Sequence, residues 1–582
     1  MCGIFALLNQ ISSANISYET ILNEFKKGQS RGPEFSILEN VSIDLKFGFH
    51  RLAINGLNKQ SHQPIYINNI CLICNGEIYN YKELYKKLKI KPTTNSDCEI
   101  IIHCYLQFGI EYTLQILDGV FSFILLDNDP ENTKLFIARD PYGVRPLYIL
   151  ENFKEQKGVI GFASEMKMLY NFIDIFKNNK YSNDYVIHYF KPGTYSKLYY
   201  PNKVFAEWSY EFKNKIFFKQ GFSTISKFNN KNIDNIFMNI NSYFKDAVYK
   251  RCSTTDRPVA CLLSGGLDSS LVCALVCNYF RKNDPNKIIE TFSIGIKGSE
   301  DLKYAKQVAN FLNTQHTNIE LTKEQFFDAI PEVIYAIESY DTTTIRASIG
   351  NYLVSKYIKN TSTAKVIFNG DGSDELFGGY LYLNHISNAV QFDNECRRLL
   401  DDIYMFDVLR SDKSISSNGL EPRTPFLDRQ FTQYILSLSP IIRYKGGLLT
   451  DDTHCFRYIE KFLLRKAFYD ENNPILPYDV LWRTKEAFSD GVTNKTESIS
   501  EIIKEHLDNI DFSEIDQYQY THNPPITKEQ KYYRYLFEKH YKGQGHILPY
   551  FWMPRFVEAT DPSARTLDVY KEQHYDLMER SL

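Results

Sequence analysis

Pro258-Val-Ala-Cys-Leu-Leu-Ser-Gly-Gly-Leu-Asp-Ser-Ser-Leu-Val-Cys-Ala-Leu-Val-Cys277 reads as strand, loop and helix in immediate succession. The apolar run 258–263, ending in Leu263, has the length of a buried strand, and 271–277 continues as an apolar helix. Between them, the glycines of Ser264-Gly265-Gly266-Leu267-Asp268-Ser269 let backbone N–H groups approach an anion where a helix begins. A carboxylate at Asp268 inside such a loop makes sense if it holds a cation, which implies Mg²⁺. The alternative is a tight Gly-Gly turn with Asp268 as a capping residue. Further along, Ile288-Ile-Glu-Thr-Phe-Ser-Ile294 is a second strand. Tyr304, Val308 and Leu312 then recur at helical spacing, and Lys365-Val-Ile-Phe368 is a third strand. Strands alternating with helices imply an α/β domain around a parallel sheet, with ligands at the carboxyl ends of its strands.

A second Gly-rich loop, Asn369-Gly370-Asp371-Gly372-Ser373-Asp374-Glu375, follows that third strand. Its acids beside a phosphate site need cations, and Asp374 is the candidate second Mg²⁺ ligand. Arg346 and Lys485 are candidate phosphate clamps, or else solvated charges.

The chain has 582 residues, which suggests two to four domains, and a formal net charge of −3. That charge gives no electrostatic case for nucleic acid or an anionic membrane. No apolar run approaches the roughly 20 residues needed to span a bilayer. Phe5-Ala-Leu-Leu8 is too short for a signal peptide, so the cytoplasm is the expected compartment. The eleven cysteines are expected to be mostly buried reduced thiols. Cys71 and Cys74 fall three apart in an apolar strand, so their sulfurs should face opposite sides rather than share a metal. Short apolar runs bounded by turn residues fill the first two hundred positions, and the polar stretch 211–233 reads as a linker. This divides the chain into 2–210, the linker, and 234–582. Homodimer formation is left open by the sequence.

Near the amino terminus, Met1-Cys2-Gly3-Ile4-Phe5 would expose Cys2 as a terminal residue once Met1 is removed. Its α-amine, with a reference pKa near 7.7–8.0, could then act as general base for its own thiol. Asn75 and the backbone N–H of Gly76 could point at an oxyanion, while Arg51 and Asp97 could hold the carboxylate and ammonium of an α-amino acid. Equally, Asn75-Gly76 could be a turn, Arg51 a surface charge and Asp97 a helix cap.

Met1-Cys-Gly-Ile-Phe5, Arg31-Gly-Pro33, Arg51-Leu-Ala-Ile54, Gln63-Pro64, Asn75-Gly-Glu-Ile-Tyr-Asn80, Ser96-Asp97 and Arg139-Asp-Pro-Tyr-Gly-Val-Arg-Pro-Leu-Tyr148 resemble, in order, the glutaminase domain of class II, N-terminal-nucleophile amidotransferases. The resemblance implies an αββα sandwich and glutamine hydrolysis through a γ-glutamyl thioester on Cys2. It also implies a glutamine site formed by Arg51, Leu52, Ala53, Ile54, Asn55, Asn75, Gly76, Glu77 and Asp97. Ser30 stands where that family often has histidine.

The loop at 264–269 lacks the terminal Gly-Lys-Ser/Thr of a Walker motif and resembles that of ATP pyrophosphatases. With Thr344-Ile-Arg-Ala-Ser348, Gly372-Ser-Asp-Glu-Leu-Phe-Gly-Gly-Tyr380, Pro425-Phe-Leu-Asp428, Phe488-Ser-Asp-Gly-Val492 and Asp561-Pro-Ser563, it is similar to the synthetase half of glutamine-hydrolysing asparagine synthetases. That similarity implies ATP contacts at Leu263, Ile294, Asn369 and Gly370, and pyrophosphate contacts at Arg346 and Lys485. It also implies a role for Asp371 in forming and attacking an acyl adenylate. Asn369 replaces a usual serine and Asp371 a usual glutamate. The side chain at 371 is one methylene shorter, and an ångström of displacement is able to cost about a hundredfold in rate. The implied reaction takes aspartate, glutamine and ATP to asparagine, glutamate, AMP and pyrophosphate. The alternative is amidation of a different carboxylate by the same adenylation chemistry.

Overall fold

The computed structural model describes residues 1–11, 15–154, 158–178, 184–201, 206–223, 233–444, 459–485 and 498–563. Two antiparallel six-stranded sheets form the N-terminal half. The first runs, in spatial order, Tyr185–Tyr189, Tyr148–Asn152, Ile160–Ala163, Gly3–Leu8, Leu45–Arg51 and Phe35–Ser42. The second runs Ser209–Ile216, Thr194–Tyr200, Thr133–Arg139, Gly119–Asp127, Ile70–Ile78 and Ile65–Ile67.

Strand alternation decides what each face buries. Ile4, Ala6 and Leu8 pack against Cys71, Ile73, Ile124 and Leu126 in the layer between the sheets. The other face of the first sheet sends Phe5 and Leu7 toward Ile21 and Phe25 of the helix Tyr18–Lys26 and Phe172 of the helix Tyr170–Asn178. The other face of the second packs Leu72 and Cys74 with Ile101 and Ile102 of the helix Ile100–Ile116. Helices therefore flank two stacked sheets, as expected of an αββα sandwich. Cys71 and Cys74 lie in different apolar layers, and no metal-binding cluster of three or more His, Cys, Asp or Glu occurs among the described residues.

The stretch read as a linker starts as structure. Ser209–Ile216 is an edge strand paired with Thr194–Tyr200. Its charges at Glu211, Lys213 and Lys215 made it look like linker, while Phe212 packs onto the helix-covered face. Positions 224–232 lie outside the described residues. The helix Ile233–Ser253 then opens the C-terminal half.

There the sheet has five strands, all parallel: Gln315–Leu321, Glu290–Ile296, Val259–Leu262, Val366–Phe368 and Glu421–Arg423. The chain begins at the centre with Val259–Leu262, builds outward through Glu290–Ile296 and Gln315–Leu321, and returns to the other side. This places a topological switch between Val259–Leu262 and Val366–Phe368, where a doubly wound sheet opens a crevice. The apolar helix after the first loop, Leu267–Asn283, buries Leu271 through Cys277 on the sheet.

The halves share their cores. Phe172 and Phe176 lie in one apolar cluster with Phe326, Ile330 and Tyr340, and Leu52, Ile54 and Tyr142 lie in another with Leu263 and Leu267. No described helix is long and apolar enough to cross a membrane.

Candidate functional site

Cys2 enters the first sheet half-buried at the head of Gly3–Leu8, and its thiol donates to Leu52 O at 3.6 Å. Burial pushes the thiol upward, while the terminal ammonium, the Leu52 hydrogen bond and the Arg51 charge oppose that shift. Arg31 Nε holds the Cys2 carbonyl at 3.0 Å. Met1 is buried, and its amine lies 3.4 Å from Leu420 O; burial lowers that amine to about 6.

Two positions beyond Ile73 on the same strand, Asn75 falls on the face that looks at the Cys2 layer. It is wholly buried, and neither its nitrogen nor its oxygen has a hydrogen-bond partner among the described residues. A buried carboxamide without a partner is costly. Gly76 is obligatory for packing, since a β-carbon there would lie 2.5 Å from Val120 O. Glu77 accepts from Asn55 Nδ2 at 2.6 Å and pairs with Arg423 at 3.3 Å. Burial, then the Asp97 charge, raise its pKa well above the carboxylate range.

Asp97 lies beneath this strand, accepting the Ile78 N–H at 2.7 Å. Burial raises it to about 6, with the Ile78 hydrogen bond opposing. Ser96, not Asp97, caps the short helix Asp97–Glu99. Arg51 is buried rather than a surface charge. Its guanidinium is spent on Gly56 O, Asn58 O at 3.0 Å and His62 Nδ1 at 2.9 Å, so it staples the 52–62 loop beside Cys2. The Ala53 N–H donates to Glu34 Oε2 at 2.7 Å, and Ile54 O accepts from the Asp256 N–H at 2.9 Å.

The second site is a cleft at the sheet's switch point, lined by Leu263, Ser264, Gly266, Asp268, Ser269, Ile294, Asn369, Gly370, Asp371, Asp374 and Lys485, all named by the sequence. Gly265 has φ +75°, and a β-carbon there would meet Ala305 N at 2.4 Å. At Gly370 a β-carbon would lie 2.8 Å from Asp268 Cβ and Ser269 N, so the two Gly-rich loops touch. Ser373 donates to Asp268 Oδ1 at 2.8 Å. Lys485 Nζ lies 2.6 Å from Asp374 Oδ2. Burial opposes ionisation of Asp374, but Lys461 and Lys485 outweigh it and hold the carboxylate far below its usual range.

Arg346 is not among the residues lining this cleft. Thr343 and Ala347 of its helix, Thr342–Thr361, face in, whereas Arg346 turns to Glu529 (2.6 and 2.9 Å) and Asp561 (both 2.8 Å). It thereby ties down the C-terminal segment. The Phe488–Val492 motif lies outside the described residues.

A family model described as a glutamine amidotransferase domain matches residues 1–209, and one described as asparagine synthase matches 239–391 and 382–546. Asparagine synthetase [glutamine-hydrolyzing] of Gallus gallus is 40% identical over 587 residues, covering 98% of this chain and 99% of that protein. The protein of the same name from Cricetulus griseus is 39% identical over 598 residues, with the same coverage. This chain belongs to the glutamine-hydrolysing asparagine synthetase family. Among solved structures, an NH3-dependent NAD synthetase from Campylobacter jejuni is 22% identical over 25% of this chain and 60% of that one, with a TM-score of 0.19, too slight a likeness to bear on the fold.

Within this asparagine synthetase family member, several residues join the sites that sequence reasoning passed over. The helix Asp407–Ser416 reaches both. Its Arg410 donates to Asp371 Oδ1 at 2.9 Å, and its Ser411 accepts from Asn369 Nδ2 at 2.6 Å. Burial raises Asp371, with Arg410 opposing. On the other side Asp412 pairs with Arg31 at 2.8 Å and Ser416 accepts from Arg31 at 2.8 Å. The edge strand Glu421–Arg423 does likewise, its Arg423 carbonyl accepting the Asn369 N–H at 3.1 Å and its guanidinium pairing with Glu77. None of these residues was marked by a motif, and only their partners elsewhere in the chain distinguish them. Lys461, paired with both Asp268 and Asp374, also went unread, because Glu460-Lys461 carries no motif.

Proposed function

We propose that this chain makes asparagine from aspartate, glutamine and ATP, in a hydrolytic half-reaction at Cys2 and a ligase half-reaction at the cleft. In this reading Cys2, with Met1 removed, attacks the glutamine amide, and its own α-amine takes up the thiol proton. The Asn75 carboxamide and the Gly76 N–H donate to the oxyanion of the tetrahedral intermediate. Asp97 receives the substrate ammonium. Arg51 supplies positive charge beside the site and fixes the loop of Leu52, Ala53, Ile54 and Asn55 against the substrate.

In the cleft, the loop 264–269 cradles the ATP phosphates, and Leu263 and Ile294 bound the base. Asp268 and Asp374 are hard oxygen donors that already converge on one cation, the Lys461 ammonium, so this donor set fits a divalent ion sharing phosphate oxygens. Mg²⁺ bound there would supply charge neutralisation for departing pyrophosphate. Lys485 stabilises the same leaving group, while Asp371, oriented by Arg410, acts on the β-aspartyl adenylate. The helix Asp407–Ser416 lies between the sites, and ammonia must pass from one to the other unprotonated. Glutamine, aspartate and ATP are the partners this reading needs. A cytoplasmic location and a homodimer belong to it too, testable by fractionation and sedimentation.

The observation that most directly supports the reading is the fully buried Asn75 carboxamide on the sheet face beside Cys2, without a hydrogen-bond partner among the described residues. Mass spectrometry of products from aspartate, Mg-ATP and amide-¹⁵N-glutamine tests it. Labelled asparagine with AMP is expected. Labelled ammonia without asparagine would leave the glutaminase half standing and remove aspartate as acceptor. With Cys2→Ala, glutamine should no longer support synthesis while ammonium salts still do.

A further inference from the structure

Two carboxylates that converge in one cleft repel each other, and a cation between them offsets that repulsion. The chain provides that cation itself. Lys461 Nζ lies 2.5 Å from Asp268 Oδ2 and 2.6 Å from Asp374 Oδ1, and its side chain is 1% exposed. The remaining oxygen of each carboxylate is also engaged, Asp268 Oδ1 by the Ser373 hydroxyl and Asp374 Oδ2 by Lys485.

Two features show that the backbone is built around this placement. Lys461 adopts the left-handed conformation, φ +57° and ψ +29°, at the head of the helix Phe462–Ala467. For a residue with a β-carbon this costs about 1–2 kcal/mol, and such costs persist where the surroundings impose them. Gly379 leaves the space for the lysine stem, since a β-carbon there would stand 2.2 Å from Lys461 Cε and 2.1 Å from Asp374 Oδ1.

We propose that Lys461 is a tethered counter-cation that occupies the divalent-metal position of the nucleotide-free chain and must be displaced before a metal ion can bind. The two cations compete for the same two oxygens. A free metal ion therefore gains little by entering alone, because it must both dislodge a buried ammonium and bear its repulsion. When the metal arrives with ATP, the phosphates offer the displaced ammonium new acceptors. The lysine thereby couples metal binding to nucleotide binding and stands between the two carboxylates until the metal arrives. This rests on the reading of Asp268 and Asp374 as the metal ligands.

The test is Mn²⁺ binding to the full-length, nucleotide-free protein, followed by electron paramagnetic resonance. Lys461→Met and Lys461→Gln are expected to bind Mn²⁺ about tenfold or more tightly than the parent, and Lys461→Arg, which keeps the charge, is expected to stay close to the parent. Circular dichroism establishes which variants fold, and either neutral variant suffices. If the folded neutral variants bind Mn²⁺ no more tightly than the parent, the proposal is overturned. It is equally overturned if Lys461→Arg gains as much as they do. Adding Asp268→Asn to Lys461→Met should abolish the gain, and a gain that survives would place the ion elsewhere. The underlying ligand reading is checked separately by Asp268→Asn alone with ATP and Mn²⁺ present. If that variant binds metal as the parent does, the ligand reading fails whatever Lys461 does.

Discussion

The carboxamide of Asn75 lies inside the sheet sandwich with neither polar atom bonded among the described residues, a state that costs on the order of 1–3 kcal/mol. Asn75→Ala removes that cost together with the side chain. The unfolding temperature should therefore stay level or rise, while glutaminase kcat falls about 100- to 1000-fold, the loss expected for one oxyanion donor. A thermal melt and a glutamate-release assay check both, and a large drop in melting temperature would mean that Asn75 has a structural partner. Asp97 gives a pH signature. Burial raises it to about 6, so it is protonated below that pH and then offers no charge to a substrate ammonium. The Cys2 α-amine, with a reference pKa near 7.7–8.0, already lowers glutaminase kcat/KM by about tenfold per unit below that pH, and protonation of Asp97 is expected to steepen the fall to about a hundredfold per unit below about 6. A slope that does not steepen between pH 6 and 5 would remove Asp97 from the substrate clamp.

At the scale of elements, the cleft depends on two loops from strands far apart in sequence. Gly370 touches the backbone of Ser269, and no side chain fits between them. Gly370→Ala should force the loops apart, raise KM for ATP by about tenfold or more, since displacements of this size commonly cost that much, and leave glutamine hydrolysis at Cys2 unchanged. Unchanged ATP kinetics would show that the loops separate freely. The helix Asp407–Ser416 works differently. It carries Arg410 and Ser411 to the cleft and Asp412 and Ser416 to Arg31, in one stretch of ten residues. Nine of its ten residues are buried, Arg410, Asp412 and Lys413 among them. Reading that charge as a link requires knowing that both halves pack on it.

For the whole molecule, the apolar clusters decide how many units unfold. Phe172 and Phe176 from the sandwich bury against Phe326 and Ile330 from the synthetase half, and each such side chain is worth about 1.5–3 kcal/mol. Buried ion pairs cross the same boundary, among them Arg31 with Asp412 and Arg423 with Glu77. Removing one half would expose these charges, and the apolar face they border, to water. Differential scanning calorimetry is expected to give one transition for the full chain rather than two. Two resolved transitions, one of them retained by residues 1–223 alone, would show that the shared clusters do not couple the halves.

Much of this protein is local and could be read directly. Strand–glycine loop–helix order, the alternation that separates Cys71 from Cys74, and the acids of the second Gly-rich loop all follow from neighbours in sequence. They specify the parallel sheet and both Gly-rich loops of the cleft, whereas the sandwich follows from the resemblance to class II amidotransferases. The edge strand Ser209–Ile216 was hidden because half of an edge strand faces water and carries the charges of a linker. The destinations of the charged side chains were not legible either. Arg346 could be named as a phosphate clamp, yet it is held by Glu529 and Asp561. Lys461 and Arg410 could not be singled out at all. An ion pair is set by which carboxylate lies within a few ångströms after folding, and that distance depends on the packing of segments 39 to 215 residues apart rather than on any pattern along the chain.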